Sequence, residues 1–264
     1  MLRRLAPAMA LMITVLAACQ GSPAITNPTD IITQGLTATT SLKSFHVSLA
    51  LNGSFKMSQT GGTVDLKSTS LEADVDIGGK LAHLSFAIPA FLGLSGDVVL
   101  IGKDLWVKTS MTGDKYSHMS SNNIGGASFA PTASIDTASM VKKVKDFLAK
   151  DGVETKKLAD VACGDRQCYQ ISVSIPSSLM KDAGAVASMD PSTVFGDALV
   201  LNLLFDREKL WLTSVSTDVA SDTLGTFSVT LTFSNFDEAV TVSPPPDAQV
   251  TEGEFTLPGM SPAP

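Results

Sequence analysis

Apolar and polar residues alternate with a period of two through most of this chain. In FHVSLALNGSFKM, Phe45, Val47, Leu49, Leu51, Phe55 and Met57 fall on one side, and His46, Ser48, Asn52, Ser54 and Lys56 on the other. Successive side chains of a strand point to opposite faces, so this pattern predicts strands with one apolar face. It returns at Leu84-Phe86-Ile88, at Leu105-Val107-Thr109, at Tyr169-Ile171-Val173-Ile175 and at Phe227-Val229-Leu231-Phe233, and weakly at Leu199-Leu201-Leu203-Phe205. In VDLKSTSLEADVDI the phase slips near Ser70: Val64 and Leu66 are even, while Leu71, Ala73, Val75 and Ile77 are odd, which predicts a bulge or a bend. Gly61-Gly62, Gly78-Gly79, Gly102-Lys103-Asp104, Gly164-Asp165 and Asp206-Arg207-Glu208-Lys209 mark turns.

Three segments switch to a helical period. At NPTD, Asn27 can cap, Pro28 suits the first helical position and Asp30 the first turn, with Ile31, Ile32, Leu36 and Leu42 giving an apolar side. In DTASMVKKVKDFLAKDG, Met140, Val141, Val144, Phe147 and Leu148 form one stripe and Lys142, Lys143, Lys145 and Lys150 stand away from it. Asp136 can cap its start and Gly152 its end. A weaker helix starts at Pro176 and runs through Leu179, Met180 and Ala183. The order of strands and helices predicts an α+β fold, an antiparallel sheet with helices gathered on one face.

The N-terminus reads as a targeting segment. Arg3 and Arg4 precede an apolar run from Ala6 to Val15, too short for a span of about 20 apolar residues and suited to a signal peptide. The run ends Leu16-Ala17-Ala18-Cys19, which looks like the bacterial lipobox, where the cysteine thiol is lipidated and becomes the new N-terminus. Each buried methylene of such an anchor contributes about 0.8 kcal/mol, and two chains give stable attachment. The alternative is a plain secretory signal with a chance cysteine. The expected organisation is a lipoprotein signal peptide over 1–18, a lipidated tether over 19–27, one folded domain over 28–243 and a disordered Pro-rich tail over 244–264.

Composition and cysteine use agree with an exported domain. Loss of Arg3 and Arg4 takes the formal charge from −7 to −9, which argues against a nucleic-acid partner. Beyond Cys19 one pair remains, Cys163 and Cys168, whose spacing suits a disulfide across the base of a hairpin; free thiols are the alternative. A metal is a poor reading, since structural zinc wants four ligands and no histidine lies near the pair in sequence. No nucleophile elbow, Walker loop or His-x-x-x-His occurs. Ser139-Met140-Val141-Lys142, Lys108-Thr109-Ser110 and Ser221-Asp222-Thr223 echo pieces of the β-lactamase pattern, but in the wrong order. The expectation is no catalytic residue, no cofactor and no metal.

Several phrases carry a resemblance. A lipobox is followed by a helix ending in SLKSFHVSLALNG; a cysteine hairpin, CGDRQCYQISVSIP, follows the second helix; a last strand runs into LTFSNFDEAVTVSPPPDA. Over roughly 28–248 the chain resembles the mycobacterial LppX/LprG-type lipoproteins and, more distantly, the LolA/LolB carriers. The resemblance implies a curved antiparallel half-barrel of about ten to eleven strands with helices covering its concave face. It also implies a cavity between sheet and helices that holds acyl chains of lipids or glycolipids.

Under that reading the cavity wall is Val47, Leu49, Leu51, Phe86, Ile88, Val173, Leu201, Leu203, Val229 and Leu231, capped by Val144, Phe147 and Leu148. Each of these is equally a residue of an ordinary packed core. Two segments suit an entrance: FAIPAFLGLSG, with Phe91, Leu92 and Leu94 in an unusually apolar connection, and SHMSSNNIGGASFAPTAS, with Gly125-Gly126 as a hinge. The expected function is a lipid-anchored protein on the extracytoplasmic side of the cell membrane that carries or presents lipid, with an envelope transporter as a further partner. The alternative is an anchored interaction or structural protein with a filled core and no cargo.

Overall fold

The computed structural model describes residues 24–56, 62–90, 93–120, 137–182 and 190–252. The first helix, α1 (Pro28–Thr40), begins where the sequence places it: the Asn27 side chain accepts from the amides of Thr29 and Asp30 at 2.9 and 3.3 Å. A Pro at the first helical position costs nothing there, because its missing donor would have had no partner. Three further helices follow, α2 (Thr137–Leu148), α3 (Ser177–Asp182) and α4 (Pro191–Phe195).

All strands join one open sheet. In chain order they are β1 (Ser44–Lys56), β2 (Thr63–Asp65), β3 (Ser70–Asp76), β4 (Leu81–Ile88), β5 (Leu94–Ile101), β6 (Asp104–Thr109) and β7 (Tyr116–Ser120). Then come β8 (Glu154–Lys157), β9 (Val161–Cys163), β10 (Arg166–Pro176), β11 (Ala198–Asp206), β12 (Leu212–Ser221), β13 (Gly225–Ser234) and β14 (Val250–Glu252). Across the sheet the order is β14-β7-β6-β5-β4-β3-β1-β13-β12-β11-β10-β8, with β2 on β1 and β9 on β10. Every pairing is antiparallel except β14 on β7. The α+β class and the open antiparallel sheet are as expected. Fourteen strands rather than ten or eleven arise because β2, β9 and β14 are pieces of three residues each.

The phase slip near Ser70 is a break between two strands that share one edge of β1. β2 pairs with Ser54–Lys56 and β3 with Ser44–Ala50. The chain turns between them over 66–69, where the Leu66 amide reaches the Gly53 carbonyl at 3.0 Å. Gly53 takes φ +100° there, and a Cβ would run into the Thr226 carbonyl oxygen of β13, so both backbone and space require glycine. FAIPAFLGLSG also differs from its reading as a connection: β4 continues to Ile88, β5 starts at Leu94, and those two residues are paired. Within the segment from Pro244, expected to be disordered, Val250–Glu252 adds to the β7 edge, and the Thr251 hydroxyl donates to the Tyr116 carbonyl.

Direct cross-strand partners share a face, so the register sorts the whole sheet. Leu231, Leu49, Leu71 and Phe86 are successive partners across four strands, and Val229 lies opposite Leu51. Ile171, Leu203, Val215 and Leu231 continue the same row the other way. This face is largely apolar, broken by Thr217 of β12, by Thr109 and Ser117 toward one end and by Lys157 at the other; the opposite face carries mostly Ser, Thr, His and carboxylates.

Among the described residues, helices back only one end of it. Ile31 and Ile32 of α1 are fully or nearly fully buried against Tyr169, Ile171, Val173 and Phe205, and Val144 and Leu148 of α2 join this cluster. α1 crosses the strands rather than following them. Its start lies by Tyr169, whose hydroxyl accepts from the Ile25 amide at 3.1 Å, and near its end the Thr39 hydroxyl accepts from the Leu212 amide at 2.9 Å. Thirteen residues of helix rise about 20 Å, whereas the twelve strands along the sheet span about 50 Å at about 4.8 Å each. A second, smaller cluster, Leu100, Leu105 and Val107 with Ala82, Val98 and Met119, packs at the far end.

Ile171 is fully buried at the centre of the helix-backed cluster. Ile171→Ala is expected to destabilise the chain by about 2–5 kcal/mol, read as a lowered denaturant midpoint with an unchanged slope.

Candidate functional site

Between the two clusters lies a stretch of the apolar face whose large side chains are only partly buried, although Ala73 in its middle is buried. Val47, Leu49 and Leu51 of β1, Phe86 and Ile88 of β4, and Val229 and Leu231 of β13 all belong to it. Leu71, Leu84 and Val215 complete it, similarly half-exposed. These three were missed as wall residues, although the register makes Leu71 the link between Leu49 and Phe86. None of these ten side chains is charged, so the patch offers dispersion contact and apolar burial with no ionic preference.

The other proposed wall residues are elsewhere. Val173, Leu201, Leu203, Val144 and Leu148 sit in the helix-backed cluster, Val173 only 3% exposed. Phe147 is half-buried on α2, with the Lys150 ammonium 5.6 Å from its ring centre. Of the entrance residues, Leu94 begins β5 on the apolar face; Phe91, Leu92, Gly125 and Gly126 lie outside the described residues, as does Cys19.

Phe86 shows how the patch is shaped. It pairs with Gly96, and its ring covers the place a Cβ would take. Glycine at that point lets the aromatic ring lie flat on β5 instead of standing up from the sheet. This depression was invisible in the alternation, where Gly96 reads as a turn signal.

The disulfide is formed between Cys163 and Cys168, with Cα atoms 5.9 Å apart, and ties β9 to β10. Next to it, on the polar face, is a cavity of about 460 Å³ lined by the hairpin residues 163–166 and by Leu204, Ser214, Thr232, Ser234 and Phe236, among others. None of the proposed wall residues lines it. Its outer rim carries Arg166, paired with the buried Asp206 and lying over the Trp211 ring.

The pieces of the β-lactamase-like pattern are not assembled. Ser139 and Lys142 lie on α2, where Lys142 pairs with Asp146; Lys108 lies over the Tyr116 ring; the Ser221 hydroxyl donates to the Thr193 carbonyl. Among the described residues no group of three or more His, Cys, Asp and Glu side chains is placed to hold a metal, and no helix is long and apolar enough to cross a membrane.

No family model and no curated protein matches the chain. Among solved structures, it is similar to the lipoprotein LppX of Mycobacterium tuberculosis, at 21% identity over 81% of this chain and 97% of that one, with a TM-score of 0.49. It is also similar to LprF of Mycobacterium bovis, at 15% identity over 84% and 99%, with the same TM-score. MucB in the Pseudomonas aeruginosa MucA/MucB complex follows at 10% identity over 84% and 59%, with a TM-score of 0.32.

Because Leu49 and Leu231 are only partly buried, truncating either to Ala is expected to cost about 1 kcal/mol, well below the loss at Ile171. Equal losses at all three sites in chemical denaturation would show the patch to be as closed as the core.

Proposed function

We propose that this chain is a membrane-anchored lipoprotein that binds acyl chains of lipids or glycolipids on the open part of its apolar sheet face and carries or presents them in the cell envelope. The observation that carries the reading is the half-buried, uncharged stretch from Val229 and Leu231 through Leu49 to Phe86, left between two packed clusters. An exported soluble domain does not leave such a surface wet at no cost; about 25 cal/mol is lost per Å² of apolar area left in water. An acyl chain matches it, being flexible, uncharged and long enough to cross several strands. The phrases shared with LppX/LprG-type lipoproteins point the same way.

Attachment through Cys19 fits this role. The first described residues are held beside the sheet, Ile25 against Tyr169, so the tether from Cys19 is at most about 20 Å long and keeps the domain near the membrane that would supply or receive cargo. The anchor would face the extracytoplasmic side, where the disulfide is also stable. An envelope transporter is a reasonable partner for handing over cargo. Binding, rather than chemistry, is the activity assigned.

A second reading has its own support. The helix-backed end is packed solid around Ile31, Ile171 and Phe205, as in an anchored interaction protein with a filled core. One experiment separates the two. The chain from Gln20 onward, purified from a bacterial host, is expected to retain phospholipid in native mass spectrometry and to lose it when Leu49 and Leu231 are both changed to Trp. A mass without lipid, and no uptake of added acylated lipid, would leave the interaction protein as the better reading. Separately, Cys19→Ala is expected to abolish acylation and to release the chain from the membrane fraction.

A further inference from the structure

The chain has three histidines, and all three fall in one row of the polar face. His46 of β1 is opposite Asp74 of β3, Asp74 opposite His83 of β4, His83 opposite Val99, Val99 opposite Trp106, and Trp106 opposite His118 of β7. Each histidine reaches a carboxylate on a neighbouring strand: His83 meets Asp97 through Nε2 at 3.1 Å, and His118 meets Asp104 through Nε2 at 3.2 Å.

His46 is different. Its Nδ1 lies 2.8 Å from Asp74 Oδ1 and its Nε2 lies 2.8 Å from Glu72 Oε2. An ionised carboxylate only accepts, so both ring nitrogens must donate, and the arrangement requires the imidazolium ion. A neutral ring would turn a lone pair toward one of the two carboxylates.

The position of this contact gives it a role. β3 is the first strand of the half that runs out to β7 and β14, and β1 is the last strand of the half that leads back to the helices. We propose that His46 is a proton-operated clamp on the β1–β3 seam: protonated, it holds both carboxylates of β3 and fixes the open half of the sheet to the helix-backed half, and loss of one proton frees one carboxylate and loosens the seam. Its effect on cargo rests on the lipid-binding reading, because Leu49 and Leu71 meet across the same seam on the apolar face.

The surroundings set the direction. On β3, His46 faces Glu72 and Asp74, with Asp76 next along that edge, and His83 stands beyond Asp74. On its other side β13 offers only Ser234 and Thr232; past the end of β13, the Asp237 carboxylate accepts from the Lys43 amide and the Glu238 carbonyl from the Ser44 hydroxyl. The hydrogen bond that His46 donates to Asp74, opposed by partial burial and reinforced by Glu72, raises the His46 pKa above its ordinary 6.5. A pKa raised by folding gives stabilisation that is complete below the unfolded value and is lost as pH climbs through the folded one. The seam is therefore tight in acid and looser in alkali.

Deuterium exchange of the full chain in detergent, read by mass spectrometry, tests this at two levels. Slow exchange at the His46 ring carbon reports its own titration, which is expected above 6.5. Amide uptake in segments 44–50 and 70–76, corrected for intrinsic rates, is expected to rise between about pH 5.5 and about pH 8.5 in the native chain and to show no such rise in His46→Gln. A midpoint at or below 6.5, or a rise that persists in the variant, overturns the clamp. Should His46→Gln not fold, Glu72→Gln decides: its His46 midpoint falls if the clamp exists and stays put if it does not. A chain that holds no lipid yet shows these shifts loses only the lipid-binding reading; one that holds lipid with pH-independent uptake loses only the clamp.

Discussion

One apolar face has to be kept from water, and it is longer than the described helices that cover it. The rest of the architecture follows from that mismatch. α1 lies across the strand ends from Tyr169 to Leu212 and presses Ile31 and Ile32 into β10 and β11. It approaches β11 so closely that Gly35 stands against the Phe205 ring, where any Cβ would overlap it. Close approach gives a dense core at that end and leaves no helix length for the other. β1 and β13, the longest paired strands in the middle of the sheet, are consequently held by their ladders and by edge-on aromatic pairs such as Phe45 with Phe233 rather than by a covering layer.

How far the sequence disclosed this depends on what alternation encodes. A period of two specifies a face, so β1, β10, β11 and β13 were legible, and Asn27-Pro28 fixed the start of α1. Two of the longer strands were not. In β12, the apolar-face position between Val215 and Val219 is Thr217, which breaks the pattern. In β5, Val98 to Ile101 is apolar on both faces because Val99 is buried between His83 and Trp106 on the other side, and Gly96 looks like a turn although it is the floor under Phe86. The paired ends of β4 and β5 therefore looked like a connection.

Cover was not legible at all. Val173 and Val229 have the same pattern around them, yet one is deep in a core and the other only partly buried. The difference lies in which strands α1 crosses, and that is set by contacts such as Thr39 with Leu212, 173 residues apart in sequence. No local period carries information of that range. The same is true of the histidines: His46, His83 and His118 are scattered in sequence until the register aligns them.

The two faces of the open half are energetically linked through this register. Where a helix packs on a sheet, apolar burial of about 1.5–3 kcal/mol per large side chain holds neighbouring strands, and polar pairs on the outer face add little. Where that layer is missing, the ladder and the outer-face pairs make up a larger share of what fixes one strand to the next. At the β1–β3 seam the outer face sets the His46 ring between the Glu72 and Asp74 carboxylates, and on the apolar face nearby Leu49 meets Leu71, away from the described helices. An apolar molecule lying there would supply from one side the cohesion that the charged pair supplies from the other. Occupancy of the apolar face and protonation of His46 would thus favour the same closed seam, and by linkage each would promote the other.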